Sequence, residues 1–242
     1  MTPVETPMDK EYPFWGYGDL ALFIGAMLPS LLLATLSVLI LKALSSGAAS
    51  PAVSALLGQA ILYLGLFAAM FVLFRIRHQK PFWKSLAWAG SRTDIARYLF
   101  LGPLVALAIM VGSTFMETPD VEMPMKDLLS SKANVVLVLI FAVTIGPLCE
   151  ELVFRGFMMP VFSKSFGAAM GIVATAALFG ALHLPEYGYS WRHGLLITLA
   201  GIGFGWARFK TGSTAAAVAM HATYNLTVFT AFLAQGDTFK TW

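Results

Sequence analysis

Residues Val135 to Gly156 read VVLVLIFAVTIGPLCEELVFRG. The run to Ile145 is apolar apart from Thr144 and suits lipid. The continuation then adds Glu150, Glu151 and Arg155. Each ionisable side chain at the centre of a membrane helix costs about 2.5–3.5 kcal/mol on insertion scales. Three of them together on one apolar segment call for a use.

The remainder of the 242-residue chain has the same character. It is 58% hydrophobic and 12% charged, with a mean hydropathy of +0.74. Soluble domains carry about 25% charged residues, so the class is an all-α, polytopic membrane helix bundle. Spans need about 20 apolar residues. Seven are expected, at about 19–44, 52–75, 96–115, 133–156, 167–184, 193–209 and 213–234. Residues 80–90, KPFWKSLAWAG, are too short to span and suit an amphipathic interfacial helix or a loop with aromatic anchors. The division expected is 1–132 for the N-terminal transmembrane helices and interfacial segment. Residues 133–234 then form a catalytic four-helix core, within one membrane domain.

The single cysteine, Cys149, excludes an internal disulfide and reads as packing. The first apolar segment exceeds a signal-peptide core and should remain as an anchor. The net charge of +3 comes from basic residues between apolar segments, which fits membrane topology and not nucleic acid. Arg75, Arg77, Lys80, Lys84, Arg92 and Arg97 follow segment two, Lys164 follows segment four, and Arg208 and Lys210 follow segment six. The connection after segment three instead carries Glu117, Asp120, Glu122 and Asp127 against Lys126 and Lys132. The Lys/Arg bias predicts a cytoplasmic N-terminus, an outside C-terminus, and substrate entry from the cytoplasm or laterally from the bilayer. Gly167/Gly171 and Gly201/Gly205, at four-residue spacing, read as close helix packing.

Polar groups recur inside the later segments. Phe179 and His183 lie four apart in segment five, and His221 and Asn225 four apart in segment seven, so each pair shares a helix face. With a hairpin apex near Ser165, Glu150 and His183 fall within about 5 Å of one depth if the helix continues past Pro160. His221 is then expected shallower, and a break near Pro160 would bring the three closer to level. Glu151 and Arg155 are spaced to neutralise each other, which leaves Glu150 to face a cavity. His78 and His193 read as surface residues.

Intramembrane ionisable groups usually mark a functional site, and these lack a serine or cysteine nucleophile paired to a base. Glu150 could act as general base on a water held by His183, with His221 and Asn225 donating to the oxyanion. Glu150, His183 and His221 could equally ligate a catalytic zinc with water in the fourth position. The residue types fit both schemes. There is no H-E-x-x-H or G-x-S-x-G. GYGD at 16–19 resembles an aspartyl-protease motif, but Asp19 precedes the first segment and no second aspartate follows within one.

EELVFR, FGALH and HATYN, in this order on successive helices, resemble the CAAX-protease and bacteriocin-processing (Abi) family, as does GIGFGWARFKTGS before the last motif. The resemblance covers roughly 133–230. It implies an intramembrane endopeptidase that cuts near the terminus of a membrane-associated, CAAX-like or bacteriocin-like substrate. It implies Glu150 as general base, His183 as its partner on the water, and His221 and Asn225 at the oxyanion, with Glu151 and Arg155 filling the remaining motif positions. No cofactor is needed in the glutamate scheme; zinc is the alternative. The partners expected are a membrane peptide or protein and the bilayer, with no nucleic acid, and the expected place is a bacterial inner membrane. Competing readings are a non-catalytic bacteriocin-immunity or scaffold protein and, less favoured, a proton-coupled transporter, which lacks the repeat and paired broken helices of that class.

Overall fold

The computed structural model describes residues 12–119, 128–129 and 131–234, and among these it is helical with no strand. In chain order the helices are α1 (Tyr17–Leu44), α2 (Pro51–Phe71), α3 (Phe82–Ser85), α4 (Arg92–Phe115), α5 (Lys132–Val143), α6 (Ile145–Glu151), α7 (Met159–Phe166), α8 (Ala168–His183), α9 (Trp191–Thr211) and α10 (Thr214–Ala234). Asp120, Glu122, Lys126 and Asp127, expected to form an acidic connection, lie outside the described residues.

Six helical stretches are long and apolar enough to cross a membrane, namely Tyr17–Leu44, Pro51–Arg77, Asp94–Phe115, Lys132–Phe166, Ala168–Tyr187 and Thr214–Ala234. The seventh expected span, 193–209, is helical as α9, about 31 Å long, but is not one of these six. Its glycines and its Arg192, His193, Arg208 and Lys210 keep it below the apolarity of the others.

The fourth span runs well past the expected end at 156, and its irregularities have local causes. α5 stops at Val143, and Thr144 leaves helical geometry at φ −127°, ψ −75°. Pro147 follows, a residue that cannot donate to the carbonyl four before it and crowds it. Between α6 and α7 lies a π-helical turn, Leu152–Met158. Pro160 then sits in the first turn of α7, where a missing N–H is tolerated, so the helix does not break there.

Hydrogen bonds define the two ends of the bundle. At one end Arg77 and His78 pair with Asp19 at 3.1 and 2.9 Å, Lys164 donates to the Pro13 carbonyl, and Arg208 donates to the Tyr12 hydroxyl. This is the basic end. At the other, Ser50 donates to Asn134 Oδ1 and Arg192 to the Glu117 carbonyl. Small residues set the spacing between helices. A Cβ on Gly102 of α4 would clash with Thr223 Oγ1 and the Met220 carbonyl, both on α10. Gly201 and Gly205 of α9 lie against Ala176 and Ile172 of α8, as their spacing suggested, and Gly171 lies against Ser163 of α7.

The 80–90 segment is not an amphipathic helix. It holds one helical turn, and Ser85, Leu86 and Ala87 are buried while Trp83 and Trp88 are exposed. It folds inward because its backbone is needed there. The Leu86 carbonyl accepts from the Thr214 hydroxyl at 2.6 Å and the Ala87 carbonyl from the Thr214 N–H at 3.0 Å. Leu86 joins Trp15, Met70, Phe74 and Phe157 in a buried layer, with Trp15 and Phe74 ring centroids 4.9 Å apart. Asp19 lies inside the first helix turn, buried, and its partner His78 is half-buried against Phe14, not the surface residue expected. His193 likewise stacks on Tyr187 at 4.8 Å.

Candidate active site

α2, α5, α6, α8, α9 and α10 meet around a cavity of about 400 Å³. Glu150, His183, His221 and Asn225 line it, while Glu151 and Arg155 lie behind it. Glu151 and Arg155 are fully buried, whereas the Glu150 side chain keeps 20% exposure towards the cavity.

The buried pair is held at several points. Arg155 Nη1 donates to Glu151 Oε1 at 2.9 Å and Nη2 to the Gly201 carbonyl at 2.7 Å. Its guanidinium lies 4.9 Å from the Phe179 ring centroid and 5.4 Å from that of Phe204. A guanidinium suits this place because its planar fork serves two acceptors while its face meets aromatic rings. Glu151 Oε1 also faces His221 Nδ1 at 2.9 Å. A carboxylate only accepts, so Nδ1 carries the hydrogen shared with Glu151. Nε2 lies 3.9 Å from Glu150 Oε2, too long for a direct hydrogen bond and short enough for one water to bridge.

The same reasoning fixes His183. Its Nδ1 faces the Phe179 carbonyl at 2.7 Å, so Nε2 holds the lone pair. Phe179 stands between the two imidazoles, with centroids 4.4 Å from His183 and 5.7 Å from His221, and Phe204 stacks on His221 at 4.4 Å. Asn225 Nδ2 donates to the Ala142 carbonyl at 2.8 Å, which leaves its second N–H unspent by that bond.

His221 is not shallower than Glu150, as counting from a surface turn implied. α10 begins inside the protein, with Ser213 and Thr214 buried beneath the 86–87 backbone, so seven residues suffice to bring His221 level with Glu150. The cavity lies on the half of the bundle away from the basic connections. Of the three residues offered as zinc ligands in the alternative scheme, His221 Nε2 and Glu150 Oε2 lie 3.9 Å apart. Among the described residues no group of three His, Cys, Asp or Glu could hold an ion.

Two partners escaped the sequence reading. The Tyr63 hydroxyl donates to Glu150 Oε1 at 2.9 Å and accepts from Gln59 Nε2 at 2.8 Å. Both sit on α2, four apart on one face, and Gln59 is the one carboxamide in that apolar run. An intramembrane amide was the available signal. Glu186 and Tyr187, past the end of α8, also line the cavity.

Residues 132–227 match the family model described as type II CAAX prenyl endopeptidase Rce1-like. No curated protein and no solved structure matches the chain. The match spans all six motif residues and ends short of Tyr63 and Gln59. The matched residues, fewer than half of the chain, are consistent with the CAAX-protease family that the three motifs resemble.

Proposed function

We propose that the protein is an intramembrane endopeptidase that hydrolyses a peptide bond near the terminus of a membrane-associated protein or peptide, with water activated by Glu150. The observation that carries this reading is the asymmetry of Glu150. One oxygen is held by Tyr63 and the other faces the cavity within water-bridging distance of His221.

In the proposed cycle a water lies at Glu150 Oε2, which takes one proton, while the Nε2 lone pair of His183 accepts the other hydrogen. The oxygen attacks the scissile carbonyl. The second N–H of Asn225 donates to the oxyanion that forms. His221 in its imidazolium form would add Nε2–H there, with its charge beside the Glu151 carboxylate. Collapse breaks the C–N bond, and the proton held by Glu150 passes to the leaving nitrogen, giving a free carboxyl and a free amine. Arg155 keeps the Glu151 charge buried, and Glu151 in turn orients His221.

The test compares new protein N-termini in host membranes carrying wild type or Glu150→Gln at equal folded expression. Cleavages present only with wild type are expected. Identical profiles would overturn the protease reading and favour an immunity or scaffold protein.

A further inference from the structure

The position of the cavity along the bundle carries information about its substrate beyond the catalytic groups. α10 starts at the basic end. His221 lies about 10 Å along it, whereas Phe229 and Phe232, which also line the cavity, lie about 22 and 27 Å along. Ala55 and Leu56 line it from the first turns of α2, which starts at the other end, and Glu186 and Tyr187 from the turn that closes α8 there. The cavity therefore runs from the catalytic groups towards the end away from the basic connections. On the basic side it is floored. Leu86, Phe74, Phe157, Met70 and Thr214 are all completely buried between His221 and that surface.

The charge distribution gives each end a side of the membrane. Arg75, Arg77, Lys80, Lys84, Lys164, Arg208 and Lys210 lie at the floored end, against Lys42, Lys132 and Arg192 at the open one. All sit in short connections or adjacent helix turns, where the Lys/Arg excess marks the cytoplasmic face. We infer that the cavity is filled from the non-cytoplasmic side, so its substrate is a polypeptide segment already exported or displayed on the outer face of the membrane. The class of substrate rests on the protease reading; the direction of access does not.

The mouth itself suits such a segment. Its walls are apolar residues such as Leu56, Val138, Phe229 and Phe232, and the charged residues lining it are the carboxylates Glu150 and Glu186, with no Lys or Arg. An extended, uncharged or cationic stretch is accommodated there in preference to a free carboxylate terminus.

The experiment is thiol labelling with a membrane-impermeant maleimide in intact spheroplasts and in detergent-opened membranes of the expressing bacterium. Ser46→Cys reports the open end, Ser165→Cys the basic end and Glu186→Cys the mouth; wild type, whose Cys149 is buried, is the blank. The serine variants are near-isosteric, which guards against misfolding. Ser46→Cys and Glu186→Cys are expected to label fully in intact spheroplasts, and Ser165→Cys only in opened membranes. The reverse pattern, or equal labelling of all three from outside, overturns the inference. Each variant is also made with Glu150→Gln. Labelling does not need catalysis, so a chain with Glu150 intact that labels as expected yet cleaves nothing refutes the protease reading alone, whereas its Glu150→Gln counterpart should label alike and cleave nothing.

Discussion

Arg155→Met removes the positive member of a pair buried to 0% exposure on both sides. Three interactions go together: the 2.9 Å bond to Glu151, the 2.7 Å bond to the Gly201 carbonyl, and the contacts with the Phe179 and Phe204 rings. Methionine replaces much of the stem volume, so the loss is electrostatic more than a cavity. Breaking a buried pair on one side costs about 3–5 kcal/mol, because the partner is left as an uncompensated charge. Glu151 would keep only His221. Replacing both members, as Glu151→Gln with Arg155→Met, removes the stranded charge, so the double variant should be more stable than Arg155→Met alone. The coupling expected is about 1–3 kcal/mol in a double-mutant cycle. The assay is thermal or denaturant unfolding in detergent micelles, with proteolysis measured in parallel. An Arg155→Met variant as stable as wild type, or strict additivity in the cycle, would refute the account of this pair.

Three further outcomes are expected. Tyr63→Phe removes one bond to a charged group, worth about 1.5–3 kcal/mol, so kcat should fall roughly 10- to 150-fold with KM little changed; a change confined to KM would show that Tyr63 touches substrate instead. Gly102→Ala forces a Cβ into the Met220 carbonyl and Thr223, which a backbone contact cannot relieve cheaply, and should lower stability by about 1–3 kcal/mol in the same unfolding assay. Extraction with a strong chelator, checked by elemental analysis, should leave proteolysis unchanged if Glu150 activates water unaided; activity lost on extraction and restored only by added zinc would favour the metal scheme instead.

The spans were legible because lipid imposes a length and a composition, and α9 was read from its position despite its charges. The pairing of Glu151 with Arg155 was legible from four-residue spacing alone. The Tyr63 contact was not, since it joins residues 87 apart and no periodicity reports on a meeting between two helices. The same holds for Leu86. Its interleaving with lysines and tryptophans mimicked an interfacial helix, and only its carbonyl bond to Thr214, 128 residues on, draws it inside. The depth of His221 was misjudged for that reason: counting from a turn assumes the turn lies at the surface.

The arrangement of bonds around Glu151 also orders events during synthesis, since a chain enters the membrane from its N-terminus onward. Arg155 follows Glu151 by one helical turn, so the two can neutralise each other before any later helix exists. His221 arrives 70 residues afterwards. Thr214, which fastens α10 beneath the 86–87 segment, arrives with it. The candidate site therefore cannot be complete until the last helix is in place, and a chain halted before α10 would carry a neutralised charge pair with its histidine partner missing. Until then the candidate site lacks both His221 and Asn225.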